Sequence, residues 1–336
     1  MANADIHPAN APTLAVVVPA FNEAPGLRAF HARLRTVLDA VSGLATRILF
    51  VDDGSTDGTA ALLEELSQED AETAFLVLSR NFGKEVAMSA GLDHVDADAV
   101  VIIDADLQDP PELIPEMIER WREGYDVVYA QRTARRGESW LKRTTAAGFY
   151  RSMRHISTIE IPEDTGDFRL LSRRAVEALR RFRERRRFMK GLYAWIGFKQ
   201  IAVPYAREPR HAGRSRFNYW RLWNFALEGI TSFSTIPLQL FTYLGLTAAL
   251  LAFGFGAWII VKTLLWGDPV AGYPSMMVVI LFLGGMQLLA LGVIGEYLGR
   301  LFDESKQRPL YLLERQQTAA ADEEAGPTAI DRAHSA

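Results

Sequence analysis

The chain has 336 residues, 49% of them hydrophobic and 23% charged, with a formal net charge of -4 and no cysteine. That length and apolar share exclude a disordered chain and suffice for one large domain or two smaller ones, while the missing cysteines exclude disulfides and thiolate metal sites. Charge is spread unevenly, with 8 basic and 23 acidic side chains in residues 1–131, 23 and 8 in residues 132–221, and 6 and 10 in the remainder, so the basic middle calls for an anionic partner.

Residues 1–12 lack the basic head and apolar core of a signal peptide and are expected to be flexible. From residue 13 the chain alternates β-rich apolar runs with helical spacings. "TLAVVVPAFNE" (13–23), "RILFVDDGSTDGT" (47–59), "AFLVLSRNFG" (74–83), "AVVIIDADLQ" (99–108) and "YDVVYAQR" (125–132) have the form of buried strands. "ARLRTVLDAV", "KEVAMSAGLDHV" and "PELIPEMIERWREG" suit the helices between them. This alternation predicts an α/β fold built on an open, mostly parallel sheet.

In such sheets the ligand crevice lies at the carboxyl ends of the strands, which here hold Asn22 and Glu23, Asp52 and Asp53, Asn81, and Asp104 with Asp106. Neither G-x-G-x-x-G after the first strand nor G-x-x-x-x-G-K-[ST] occurs. Phosphates must then be neutralised some other way, and a divalent cation held by carboxylates is the candidate. Asp104 and Asp106, two residues apart on an extended segment, leave the same side and can converge on one hard cation, or on a cation and a ribose. The alternative is that they cap a helix starting near Pro110.

Arg132, Arg135, Arg136, Lys142 and Arg143 follow the fifth strand. Arginine grips phosphate with paired donors and keeps its charge, although a solvated or lipid-facing role stands beside this for each of them. "DTGDFRLLSRRAVEAL" supplies Asp164, Asp167 and Arg169, with helix capping as the alternative for Asp167. "RRFRERRR" (180–187) has no interleaved aromatics, so a surface on anionic lipid is expected rather than nucleic-acid binding. "REPRHAGRSRF" (207–217) is a basic loop with a glycine, and 216–235, crowded with aromatics and arginine, suits an amphipathic helix in the headgroup layer.

Ile236 to Val261 carries no charge, and Met276 to Gly295 has Gln287 as its one strongly polar interruption. At 1.5 Å per residue these reach about 39 Å and about 30 Å, enough to cross a bilayer. Two transmembrane helices are expected, at 236–265 and 276–299. The connector 266–275 has no Lys or Arg, which places it in the periplasm and both termini in the cytoplasm, with a catalytic domain over 13–215. Gly295 and Gly299 form a short G-x-x-x-G, so a homo-oligomer is carried as an expectation. Residues 300–336 are expected as a cytoplasmic C-terminal segment with a disordered tail from Gln316.

"VVVPAFNE", "VDDGSTDGT", "SRNFGKEVAMSAGL", "DADLQDPPE", "DTGDFRLLSRRAV" and "RHAGRSRF" occur in this order. Together they resemble family 2 glycosyltransferases of the polyprenyl-phosphate branch, with bactoprenol glucosyltransferases and dolichol-phosphate mannosyltransferases nearest, over residues 13–315. The resemblance implies a GT-A-like fold in a multi-pass enzyme of the cytoplasmic membrane. Such an enzyme transfers a sugar with inversion from a sugar nucleotide to the phosphate of a polyprenyl phosphate lipid. UDP-glucose is the donor taken here, with GDP-mannose or another UDP-sugar open, and a non-catalytic partner-binding protein is the rival outside the class. A processive polysaccharide synthase would carry Q-x-x-R-W, which is missing.

By the same resemblance Pro19, Phe21, Asn22, Glu23, Asp52, Asp53, Lys84, Asp104, Arg210 and Arg216 bind the donor. Asp104, Asp106 and Gln108 hold Mg²⁺ or Mn²⁺, Arg132 and Arg143 bind the acceptor phosphate, and Asp167 is the catalytic carboxylate. Phe21 stands where the family usually has Tyr, so the ring is kept and a hydroxyl is lost.

Overall fold

The computed structural model describes residues 11–132, 165–185, 187–205, 236–266 and 272–317. The chain divides into two compact units: Met1–Tyr150 with Ile159–Phe217 and Pro309–Ala336, and Arg151–Thr158 with Asn218–Arg308.

The first unit runs β1 (Thr13–Ala20), α1 (Ala24–Asp39), β2 (Ala45–Asp52), α2 (Thr59–Glu69), β3 (Thr73–Leu78), α3 (Lys84–His94) and β4 (Ala99–Ile102). After a 3-10 turn at Pro111–Leu113 come α4 (Ile114–Arg122), β5 (Val127–Arg132), β6 (Thr165–Ser172), α5 (Arg173–Arg180), α6 (Met189–Trp195) and β7 (Gln200–Tyr205). The strands form one sheet ordered β7-β5-β6-β4-β1-β2-β3, with an eighth strand beyond β3. β3, β2, β1 and β4 are parallel, as are β5 and β7. β6 lies antiparallel between β4 and β5.

The GT-A-like, mostly parallel α/β sheet expected from the sequence is the fold the chain adopts. β1 is buried along almost its whole length because both faces of the sheet are covered, which is why it reads as an unbroken apolar run. α1 buries Leu27, Phe30, Leu34 and Leu38, a spacing of three and four that makes one apolar stripe. α3 comes close to the sheet through small residues: a Cβ at Gly91 would lie 2.3 Å from Val17 Cγ1.

Three strands were not foreseen. β6 and β7 complete one side of the sheet, and the eighth strand, β8 (Leu313–Gln317), pairs antiparallel with β3 at the other edge. That corrects the reading of 300–336 as a segment outside the domain with a tail from Gln316, because Gln316 and Gln317 pair with Leu76 and Phe75. Residues 318–336 lie outside the described part.

The second unit contains two long helices in contact, α7 (Ile236–Trp266) and α8 (Tyr273–Ser305). Among the described residues one stretch, Phe282–Ser305, is long and apolar enough to cross a membrane. The helix expected at 216–235 lies outside the described residues.

The turn after β2 depends on Gly54, which has a φ of +67° and whose added Cβ would sit 2.4 Å from the Arg80 backbone carbonyl carbon. Gly58 has a φ of +93° with nothing within 4 Å. Gly54→Ala is expected to cost about 3 kcal/mol, combining left-handed strain with overlap. Gly58→Ala is expected to cost about 1 kcal/mol, for strain alone. Urea unfolding of the two variants checks this, and equal losses would contradict the close approach.

Candidate active site

The ends of β1, β2 and β4 and the loop before α3 surround a cavity of about 350 Å³. Of the residues expected at the donor, Pro19, Phe21, Glu23, Asp53, Lys84 and Asp104 line it, joined by Asn81 and Asp106. Phe21 is 44% exposed, an apolar ring left open at the site.

Asn22 and Asp52 are not in the lining. Asn22 adopts a φ of +56°, donates its backbone N–H to Ser55 Oγ at 2.8 Å and accepts the Thr56 N–H on Oδ1 at 2.9 Å, tying two loops together. Asp52 is fully buried and accepts the Ser55 hydroxyl and N–H. Asp53 accepts the N–H groups of Phe82 and Gly83 at 2.7 and 2.8 Å and so also sets the loop that leads into α3. Burial pushes the pKa of both aspartates up, opposed by these hydrogen bonds.

Asp104 and Asp106 do not cap α4, which has no side-chain cap. Asp106 Oδ1 accepts the Gln108 N–H at 3.1 Å across Leu107, whose φ is +59°. Gln108 itself is only 5% exposed and does not line the cavity. Of the three residues expected for the metal, two therefore line the cavity, Asp104 and Asp106. No group of three or more His, Cys, Asp or Glu suited to a metal occurs among the described residues. Two carboxylates still fit Mg²⁺ or Mn²⁺, which completes its shell with water and substrate phosphates. Among the described residues Asp167 Oδ1 is buried and accepts no hydrogen bond, and Asp104 Oδ1 has the Lys84 ammonium at 2.7 Å as its cationic neighbour, so acceptor capacity is left over.

Asp167 lies within β6, and the cap of α5 is Ser172, whose side chain accepts the Ala175 N–H. The capping alternative for Asp167 is thereby corrected. Lys84, the first residue of α3, donates to Asp104 at 2.7 Å and to Asp167 at 2.5 Å while its side chain stays 43% exposed. Burial alone would lower the Lys84 pKa, but the two carboxylates outweigh it and hold the ammonium above its usual range.

Behind this bridge, around Arg169, lie Glu85, Lys190 and Tyr193, which sequence reasoning missed. Glu85 accepts the Met189 N–H at 3.0 Å at the start of α6. Lys190 donates to Thr165 O at 3.0 Å, and the Arg169 guanidinium sits 3.6 Å from the Tyr193 ring centroid. Burial, then the charge of Asp167, pushes Glu85 up to about 7. Burial also raises Asp104, whereas Lys84 and Lys190 outweigh burial and hold Asp167 low. The one sequence signal for Glu85 was its place beside Lys84.

Arg132, at the end of β5, donates to the Tyr205 hydroxyl at 3.1 Å. Arg143, Arg210 and Arg216 lie outside the described residues. Part of the basic run packs inward, while Arg181 and Arg183 stay exposed. Arg180 donates to the Leu92 and Val95 carbonyls, Arg183 pairs with Asp93 at 2.9 Å, and Arg187 is buried against Ser89 and the Phe182 carbonyl. These arginines hold the end of α3 in place.

The profile of glycosyl transferase family 2 matches residues 15–180, and that of the GtrB C-terminal hairpin matches residues 236–301. An uncharacterized glycosyltransferase of Synechocystis is 51% identical over 300 residues, 89% of this chain and 94% of its own. The bactoprenol glucosyl transferase of Shigella phage SfV is 48% identical over 304 residues, 90% and 99% of the two chains. The prophage bactoprenol glucosyl transferase homolog of Escherichia coli is 47% identical over 302 residues, 90% and 98%. This chain belongs to glycosyltransferase family 2 and is a glycosyltransferase.

A carboxyl raised from an ordinary 4.5 to about 7 keeps its proton more readily in the folded state. Its contribution to stability is complete below pH 4.5 and is lost as pH rises through about 7. Glu85→Gln, which cannot ionise, is therefore expected to gain melting temperature over the parent between pH 5 and pH 8. A difference between the two proteins that stays flat with pH would refute this reading of Glu85.

Proposed function

We propose that the chain transfers glucose, with inversion, from UDP-glucose to the phosphate of a polyprenyl phosphate at the cytoplasmic face of the cell membrane. The reading is carried by one observation: on the rim of a cavity of nucleotide dimensions, Asp104 after β4 and Asp167 on β6 meet at a single ammonium, that of Lys84. The names borne by the phage and prophage relatives support the lipid acceptor and the sugar.

In this reading Phe21 offers its ring to the base, while Glu23 and Asp53 face the nucleoside. Asp104 and Asp106 would hold Mg²⁺ or Mn²⁺, which when bound neutralises the donor's diphosphate and stabilises it as leaving group. Lys84 adds a second positive charge beside Asp104. An oxygen of the acceptor phosphate forms the new bond to the anomeric carbon as the bond to the nucleoside diphosphate breaks on the opposite face. A phosphate monoester has a second pKa near about 6, so at neutral pH it is already largely ionised. Asp167, held ionised by its lysines, therefore orients the acceptor, takes the last proton where one remains and stabilises the developing oxocarbenium charge. Arg132 and Arg143 hold the phosphate against the donor.

α7 and α8 are proposed as the two membrane spans, because the acceptor's hydrocarbon stays in the bilayer and its phosphate must be met at the surface. The Phe282–Ser305 stretch supports the second of them.

The test incubates the purified full-length protein with Mg²⁺, undecaprenyl phosphate and a panel of radiolabelled sugar nucleotides. Label from UDP-glucose is expected in the lipid phase, and saturating chelator is expected to abolish it. Asp106→Ala should lose both transfer and metal-dependent nucleotide binding. Asp167→Asn should keep nucleotide binding and lose about 10³-fold in turnover, within the range of a removed acid or base. Near-normal turnover in Asp167→Asn would remove its catalytic assignment, and label entering from another nucleotide alone would change the donor.

A further inference from the structure

The register of β5 on β7 sets Arg132 beside Tyr205, the last residues of two neighbouring parallel strands. The Arg132 Nε–H donates to the Tyr205 hydroxyl at 3.1 Å, and that hydroxyl donates in turn to Asp109 Oδ1. Asp109 Oδ1 also lies 3.9 Å from Arg132 Nη2 and the side chain is 2% exposed, so both partners of the guanidinium are held in the interior. Asp109 ends the loop that begins at Asp104, and thus joins that loop to the end of β5. Gly166, immediately before Asp167, completes the arrangement, because a Cβ there would come within 3.2 Å of Arg132 Nη2 and 3.8 Å of Asp109 Oδ2.

An arginine side chain has four rotatable bonds and loses much freedom when one face of its fork is fixed. With Nε committed to Tyr205, the guanidinium plane is set and its remaining donors point as a unit. Such pre-ordering is what a site needs when it must hold a dianionic phosphate within bonding distance of a reacting carbon.

We propose that Tyr205 and Asp109 are positioning residues that fix the Arg132 guanidinium for the phosphate of a prenyl monophosphate, with Gly166 leaving the space in which it lies. This rests on the reading of Arg132 as an acceptor-phosphate ligand. It adds a physical tie between the loop of Asp104 and Asp106 and the acceptor site. Tyr205 touches neither substrate in this assignment. Its effect passes through Arg132 and falls on the acceptor alone.

The experiment compares parent, Tyr205→Phe, Gly166→Ala and Arg132→Ala as full-length chains. Calorimetric binding of farnesyl monophosphate and of UDP with Mg²⁺ is measured for each, then transfer kinetics with both substrates varied, and the melting temperature. Tyr205→Phe keeps the ring and loses the hydroxyl. It is expected to weaken farnesyl monophosphate binding and raise that substrate's KM by about fivefold to tenfold, in keeping with a lost hydrogen bond to a charged group. UDP binding, the KM for the sugar nucleotide and the melting temperature should remain as in the parent. Gly166→Ala should shift the same two acceptor values without removing any partner.

Unchanged acceptor binding in Tyr205→Phe overturns the proposal. So does an equal loss for both substrates, which marks a general structural role, or a parent that binds farnesyl monophosphate no better than Arg132→Ala. If the parent binds farnesyl monophosphate through Arg132 but transfers no sugar to it, the proposed function fails, and the binding arm still decides on Tyr205.

Discussion

Two carboxylates at the cavity are organised around one ammonium. Lys84 Nζ bonds to Asp104 from the loop after β4 and to Asp167 from β6, so three elements far apart in sequence are fixed to one another by charge. Two carboxylates this close would repel and raise each other's pKa if nothing stood between them. The cation removes that penalty, and it splits the pair: Asp104 stays raised by burial, whereas Asp167 is held low with help from Lys190. Two aspartates at one site thereby acquire different characters, one holding its proton more readily and one held ionised.

The backbone reason for that meeting is the antiparallel placement of β6. Ile102 pairs with Arg169, and carrying the register two residues further sets Asp104 across from Asp167. A parallel strand in the same position would have sent its C-terminal end, not the residues near its start, to the end of β4. The alignment is strengthened from behind. Arg169 is buried beneath no solvent and rests on Tyr193, Lys190 reaches back to Thr165, and Glu85 ties α3 to the first turn of α6. A fully buried guanidinium beside buried carboxyls is costly unless every member is paired. Here the pairing also holds Asp167 in its place on β6.

What the sequence revealed and what it concealed follow from the range of the interactions. β1 to β4 are buried on both faces, so each is an apolar run bounded by polar turns and can be recognised without knowing its neighbours. β6 is interrupted by Asp167 and Arg169, and β8 is the polar "LERQQ", four of its five residues exposed. Strands of that kind exist because of their partners, and no local periodicity announces them. The aspartates of the cavity were legible because they stand at strand ends. Glu85, Lys190 and Tyr205 were not, since their importance lies in contacts with residues 104, 25 and 73 positions away. The run at 180–187 was half legible for the same reason: Arg181 and Arg183 are exposed as composition suggested, while packing also uses Arg180, Arg183 and Arg187 to finish α3.

The two edge strands have a further meaning in the connectivity. Among the described residues β7 is the last strand before the α7–α8 unit and β8 the first after it, and they occupy opposite edges of the eight-stranded sheet. The hairpin is therefore inserted into the catalytic domain and not appended to it. β8 is anchored well beyond its ladder, with Tyr311 donating to Asp93 at 3.1 Å and the Ser79 N–H donating to Leu312 O at 2.9 Å. An exposed β3 edge would otherwise offer unpaired N–H and C=O groups to other chains. A polar, half-solvated strand suits that position, because its outer face meets water while its backbone pairs with β3. The same segment thus closes the sheet and returns the chain from the hairpin, so loss of the residues after Arg308 would disturb the domain that carries the cavity even though none of them lines it.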